Sequence, residues 1–303
     1  MTAIDIKAAF FDIDGTLTSF TTHVVPQSTI DALHALQSNG VKIFICTGRP
    51  PAQMNVVLDT IPVDFDGIVG FNGQYCIDGS GFLEKQTLDA TDVATIVRWL
   101  EEHEDIVACT GEEDYVYFNH SNNQMRRTWA SLGKTAPDVF FDDPRVRTAE
   151  HETFQMSPYI SRDQEAELLS LLPNTRGVRW HPDFVDLIPA DGGKNRGIQR
   201  FLDHYGWSKK QTISFGDGGN DVDMLRFTGI GVAWAMRLRN RRRWPITLPT
   251  MSITMVFGMH LSISTSSDAL PLIVSHKLIS MCDMQPCRSS DTETIENGTQ
   301  SYK

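Results

Sequence analysis

The run Phe10-Phe11-Asp12-Ile13-Asp14-Gly15-Thr16-Leu17-Thr18 decides how this chain is read. An apolar stretch ends in two carboxylates two residues apart, just before a glycine. A strand sends alternate side chains to the same face, so Asp12 and Asp14 can emerge together where a strand breaks into a loop. Two adjacent anions repel unless a cation or a shared proton lies between them. The usual uses of such a pair are metal binding and covalent or acid–base catalysis.

Working outward, residues 7–13 read as a buried strand. Residues 27–39 read as an amphipathic helix with Ser28 as cap and Gly40 as stop. Residues 41–46 form a second buried strand that ends at Thr47-Gly48-Arg49-Pro50, and a helix follows to about Leu58. Gly67-Ile68-Val69-Gly70 then leads to Phe71-Asn72-Gly73. Strand–helix alternation of this kind predicts a parallel sheet.

The pattern changes after about Gly81. A helix over 90–103 precedes strand-like pieces at 106–109 and 115–119. A second helix over about 161–172 precedes further pieces at 178–180 and 184–188. This reads as an α+β domain inserted into the first. The α/β pattern resumes with a helix near 194–205 and a strand from Thr212 that ends in Gly216-Asp217-Gly218-Gly219-Asn220-Asp221. A short helix, Val222–Phe227, and a strand over 229–233 follow. The expected division is therefore 1–82 for the first part of a core, 83–186 for the insertion, 187–233 for the second part of the core, and 234–303 for an aberrant tail.

Composition narrows the function. The chain has 303 residues, enough for two domains with real cores. A formal net charge of -11 argues against general nucleic-acid binding, which needs a basic face. It leaves room for a small phosphorylated substrate at a local positive site. The five cysteines are widely spaced and form no CxxC pair, as expected of reduced cytosolic thiols. The N-terminus has no basic region before its first strand, and no apolar run is long enough to span a bilayer. The expectation is a cytoplasmic protein with no membrane partner; nothing here indicates its oligomeric state.

Three strand ends deliver polar groups: Asp12 with Asp14, Thr47, and Asp217 with Asn220 and Asp221. Ligands of open α/β sheets bind beyond the carboxyl ends of the strands. Lys194 precedes a helix and can enter the same crevice. Carboxylates, a hydroxyl, an ammonium and glycine-freed amides suit a divalent metal bound to a phosphate. A calcium loop begun at Asp12 would need Glu at its twelfth position, which is His23. The histidines lack metal-ligand spacing, and Trp180-His181 could face either the crevice or a domain core.

These motifs resemble those of the haloacid dehalogenase superfamily of phosphohydrolases, most closely its Cof-type group (subfamily IIB). Asp12-Ile-Asp14-Gly-Thr, Thr47-Gly-Arg, Lys194 and Gly216-Asp217-Gly-Gly-Asn220-Asp221 match in order and spacing, and the likeness runs from about residue 7 to 233. The resemblance implies a Rossmann-like α/β core with a parallel sheet and an inserted α+β cap of the C2 type. It implies a magnesium-dependent phosphatase of small phosphorylated metabolites: sugar phosphates, nucleotides or cofactor phosphates. Asp12 would be the nucleophile that forms an aspartyl-phosphate. Asp14 would protonate the leaving oxygen and then deprotonate water. Lys194 would neutralise charge. Thr47, Gly48, Arg49, Asn72 and Asn220 would surround the phosphoryl group and substrate. Asp12, the Asp14 carbonyl, Asp217 and Asp221 would hold magnesium, Asp221 as a ligand or behind the ligands. A phosphomutase, an inactive product and a phosphate-ligand-binding protein are the alternatives.

After Ala233 the resemblance stops. The family pattern calls for Met-Gly-Asn-Ala and, later, Ala-Asp-Tyr-Val-Thr and Asp-Gly-Ile. The chain instead reads Trp234-Ala-Met-Arg-Leu-Arg-Asn-Arg-Arg-Arg-Trp244-Pro. If one base was lost near codon 233, each original codon is the last base of one present codon plus the first two of the next. Trp234-Ala235 then forces glycine, Trp244-Pro245 alanine, Met255-Val256 glycine and Met259-His260 alanine. The remaining junctions permit Met-Gly-Asn-Ala across 233–237 and Ala-Asp-Tyr-Ile-Thr-Asp-Asp-Val-Asp-Asn-Asp-Gly-Ile across 244–257. The tail from Trp234 is therefore expected to be frameshifted and poorly ordered. On this reading the basic cluster at 237–243 and the Cys282/Cys287 pair are accidents of the wrong frame. Loss of the family's final strand and helices would expose apolar surface and an unpaired sheet edge.

Overall fold

The computed structural model describes residues 5–20 and 22–233. The expected frameshifted tail, with its basic cluster and Cys282/Cys287, lies outside them.

The first sheet is built on β1 (Ala8–Phe11), β2 (Lys42–Cys46) and β3 (Gly67–Gly70), continued by a hairpin of β4 (Tyr75–Asp78) and β5 (Leu83–Lys85). Helix α1 (Gln27–Ser38) links β1 to β2, and the short α2 (Asn55–Leu58) lies between β2 and β3. The chain then leaves this sheet for a second one. Helix α3 (Ala90–Glu102) leads to β6 (Ala108–Gly111) and β7 (Val116–Phe118). Helices α4 (Asn123–Ser131) and α5 (Pro144–Glu150), strand β8 (Gln155–Pro158), helix α6 (Arg162–Ser170) and strands β9 (Thr175–Val178) and β10 (Asp186–Pro189) complete it. The chain returns through α7 (Lys194–Tyr205) to β11 (Thr212–Gly216), α8 (Val222–Phe227) and β12 (Ile230–Ala233).

The first sheet runs in the order β12-β11-β1-β2-β3-β4-β5. Its first five strands are parallel and the last two antiparallel. Both faces are buried, which is why β1 reads as an unbroken apolar run rather than an alternating one. Ala9 and Phe11 face α1 through Ile30, Leu33 and Leu36. Ala8 and Phe10 face α7 and α8 through Ile198, Phe201, Leu202 and Met224. Because β1 lies at the centre, Asp12 emerges between the ends of β2 and β11, both in register with it.

The second sheet is antiparallel, in the order β7-β6-β8-β10-β9. One face buries Met156 and Leu187 beneath Val93, Ile96 and Leu100 of α3 and Leu168 of α6. Strand alternation turns Gln155, Ser157 and Asp186 to the other face, where Gln155 and Asp186 accept from Asn72 in the turn after β3.

Several local expectations shift. Helix α1 starts at Gln27 rather than being capped by Ser28. The Pro26 carbonyl already accepts from the amides of Thr29 and Ile30, at 2.9 and 3.3 Å, and starts the helix earlier. The expected boundary between 82 and 83 runs through a hairpin, since β5 pairs with β4 of the first sheet; at the other end, β10 carries the second sheet to Pro189. Helix α5 carries no stripe of buried residues for periodicity to reveal. Strand β8 is half polar because one of its faces lines the crevice. Cys46, Cys76 and Cys109 are free thiols. Among the described residues, no helix is long and apolar enough to cross a membrane.

Candidate active site

At the carboxyl end of the first sheet, Lys194 is completely buried at the first residue of α7. A cation there opposes the helix dipole, so its partners must hold it. Its Nζ donates to Asp12 Oδ1 and to Asp221 Oδ1, both at 2.6 Å. Burial works to strip its proton, but the two carboxylates outweigh burial and raise its pKa. Lys194 is therefore a fixed positive charge.

Asp221 is saturated with donors. Its second oxygen accepts from the amides of Asp217 and Gly218 at 2.9 and 2.8 Å. This pattern closes the loop Gly216–Asp221 and favours a place for Asp221 behind the metal ligands. Asp217 is oriented by Thr16, whose hydroxyl donates to Oδ1 at 3.2 Å. Gly15 makes that approach possible. Its φ is +93°, and a Cβ there would lie 2.3 Å from Asp217 Oδ2. Gly73, at φ +109°, would place a Cβ 2.1 Å from the Gly193 carbonyl, so the turn after β3 packs directly on the start of α7.

Asp12, Asp217 and Asp221 bring a carboxylate oxygen each within 4.8 Å of one another. One ammonium lies among the three carboxylates and bonds two of them, Asp12 and Asp221. Burial raises the pKa of Asp12, against the pull of Lys194 and with the push of Asp221, Asp217 and Asp14. Burial, then Asp221, pushes Asp217 up to about 7. Both shifts come first from burial and are added to by the neighbouring carboxylates, and a hard divalent cation with oxygen ligands would offset both. The donor set, all carboxylate oxygens, fits a hard divalent cation.

The Thr47 hydroxyl is buried at the end of β2. Its oxygen accepts from the Arg49 amide at 3.1 Å, which leaves its own hydrogen to donate. Gly48 keeps the space that the Asn72 side chain fills. Asn72 has φ 54°, as its neighbour Phe71 has φ 49°; both sit in the left-handed region that non-glycine residues rarely adopt. The strained turn aims the Asn72 amide between the two sheets. Its Nδ2 donates to Gln155 Oε1 and Asp186 Oδ2, each at 2.9 Å, and its Oδ1 accepts from Asn220 at 3.0 Å. Arg49 reaches the site but spends its guanidinium on Asp14, at 2.6 and 2.7 Å.

Asp186, Gln155 and Ser157 are additions that the motifs do not reveal. Asp186 is fully buried and accepts from Ser157 at 2.7 Å, Asn72 at 2.9 Å and Trp180 Nε1 at 3.0 Å. Burial raises its pKa against these three hydrogen bonds. A lone carboxylate inside Val185-Asp186-Leu187-Ile188 was the available signal. Trp180 faces the crevice, with its Cβ near Gly218. His181 instead stacks on Phe184 at 5.2 Å within the second domain.

Comparison with known proteins gives the family. Residues 9–236 match the family model of haloacid dehalogenase-like hydrolases. The chain is 26% identical over 245 residues to the pyridoxal phosphate phosphatase of Escherichia coli K12, covering 73% of this chain and 85% of that one. It is 26% identical over 233 residues to a 5-amino-6-(5-phospho-D-ribitylamino)uracil phosphatase of Bacillus subtilis, covering 73% and 84%. Among solved structures it is similar to a sugar phosphatase of haloacid dehalogenase subclass IIB, with TM-score 0.68 and 35% identity, covering 75% and 87%.

Proposed function

The chain belongs to the haloacid dehalogenase-like hydrolases and is a phosphoric monoester hydrolase, and on that footing we propose that it cleaves a small phosphorylated metabolite through an aspartyl-phosphate on Asp12, with magnesium as cofactor. The observation that carries the reading is the Lys194 ammonium held between Asp12 and Asp221 at the ends of parallel strands, with Asp217 alongside.

Lys194 takes Oδ1 of Asp12, so Oδ2 is the oxygen left to attack phosphorus. Asp14 gives its proton to the leaving oxygen and later takes one from the attacking water. Thr47 donates to a phosphoryl oxygen, and Lys194 offsets the charge gathered there. Asp12, Asp217 and the Asp14 carbonyl would hold the magnesium, with Asp221 behind them; once bound, it would let two anions approach each other. The second domain, carrying Trp180, Gln155 and Asp186 to the crevice, selects the leaving group. Sugar phosphates, nucleotides and cofactor phosphates are the substrate classes to screen.

We also infer that one base has been lost near codon 233. Among the described residues β12 is the last strand on its side of the first sheet, where the family's final strand and helices would follow. One experiment tests both readings. Phosphate release from a panel of metabolite monoesters is measured for the full chain and for the chain with its frame restored, each with and without magnesium. The restored chain should give the higher soluble yield, and Asp12→Asn should remove its magnesium-dependent turnover. Turnover that survives Asp12→Asn defeats the enzyme reading. An intact frame encoding this tail in independent isolates defeats the other.

A further inference from the structure

We propose that Arg49 is a positioning residue for the carboxyl group of Asp14 and that the tip of the inserted domain holds Arg49 to this task; the inference rests on the acid–base reading of Asp14 given above. Arg49 is buried, with 9% of its surface exposed. Its Nε donates to Asp14 Oδ2 at 2.6 Å and its Nη2 to Asp14 Oδ1 at 2.7 Å. Such a fork on a carboxylate fixes both its rotation and its plane.

The rest of the guanidinium is committed too. Nη2 also donates to the Thr135 carbonyl at 3.1 Å, and Nη1 to the Gln53 carbonyl at 3.2 Å. Four of the five N–H groups of an arginine are thus engaged. An arginine that grips a phosphoryl group needs a free pair of them; this one is spent on protein. Thr135 ends a single 3₁₀ turn, Gly133–Thr135. Gly133, at φ +55°, sits so close to His23 that a Cβ would lie 2.7 Å from the ring. His23 belongs to the loop that continues from Asp14. The tip therefore meets the core at two points, one against that loop and one on the group that orients Asp14. When the P–O bond breaks, the proton passes from Asp14 to the leaving oxygen. Arg49 gives up neither a proton nor an electron pair, and its effect is on where that proton points.

The test uses leaving groups. p-Nitrophenolate departs without a proton, whereas an alkoxide needs one. Turnover of p-nitrophenyl phosphate and of a simple alkyl phosphate is compared for Arg49→Met, Arg49→Lys and Asp14→Asn, in the full chain and the frame-restored chain. Positioned acid–base groups contribute 10²–10⁴-fold, so Arg49→Met should lower kcat for the alkyl ester about 100-fold and for the aryl ester less than about 5-fold. Arg49→Lys keeps the charge but loses the fork and should fall between. Equal losses carried in KM would make Arg49 a phosphate ligand, and equal losses in kcat a structural residue; either overturns the proposal. Asp14→Asn separates the two readings. If it too shows no leaving-group preference, the acid–base reading fails; if it does and Arg49→Met does not, this inference alone fails. A urea-unfolding cycle of Asp14→Asn, Arg49→Met and the double variant needs no turnover. The two effects should not add, and strict additivity would remove the ion pair on which the inference stands.

Discussion

Two sets of buried carboxylates face each other across the crevice, and they are satisfied in opposite ways. In the core, Asp12 and Asp221 share the Lys194 ammonium, with Asp217 close by and short of positive charge. In the inserted domain, Asp186 meets no cation at hydrogen-bond distance among the described residues and is held by three neutral donors. The first arrangement sets three carboxylates against one ammonium. The second is complete by hydrogen bonds alone. Charge balance thus separates the core side of the crevice from the side formed by the inserted domain.

The comparison breaks most visibly at Lys194. Lys194→Met leaves two buried carboxylates without their counter-charge. Removing one partner of a buried pair costs about 3–5 kcal/mol, so at 2–4 °C per kcal/mol for a domain of this size the melting temperature should fall by roughly 10 °C. Turnover should be lost with it. A variant that melts like the parent would mean that Asp12 and Asp221 are not held by this ammonium.

Asp186 offers the middle-sized effect. Asp186→Leu strands the donors of Ser157, Asn72 and Trp180, and at about 1–3 kcal/mol for an unsatisfied buried group should lower the melting temperature by roughly 5 °C. Asp186→Asn keeps acceptors for most of them and should melt within about 2 °C of the parent. If Asn and Leu are equally damaging, the charge of Asp186 matters and the contrast with the core collapses.

The smallest effect has the opposite sign. The pKa of Asp217 is raised in the folded chain, to about 7 from 3.8. A carboxyl raised on folding binds its proton more tightly when folded, so its ionisation costs stability as pH rises from about 4 to 7, and the cost is constant above that. In EDTA, Asp217→Asn should therefore melt a few degrees higher than the parent at pH 8 and no higher near pH 4. Magnesium should raise the melting temperature of the parent and not of the variant. A variant that melts lower at pH 8 without metal would show that Asp217 is not strained by its neighbours.

Much of this was legible before the fold was known. The four motifs name Asp12, Asp14, Thr47, Lys194, Asp217 and Asp221, and the structure brings them to one end of one sheet. Asp12, Thr47 and Asp217 were readable because each follows a mostly apolar run, as at the end of a strand buried on both faces; Lys194 was readable from its place at a helix start after two glycines. The hairpin of β4 and β5, helix α5 and strand β8 were not readable. Their side chains are divided between solvent, core and crevice, so no single period survives.

What the sequence alone determined is the alternation of strands and helices in the core and the chemical kind of each residue in the motifs, because burial patterns and residue chemistry are local. What only the tertiary structure decided is who holds whom. Arg49 was expected to surround the phosphate, yet it closes on Asp14 across 35 residues and on Thr135 across 86. Asp186 was not singled out at all, yet it meets Asn72 across 114. Such bonds depend on which strand ends lie side by side and on the inserted domain meeting the core, and spacing along the chain carries no trace of either.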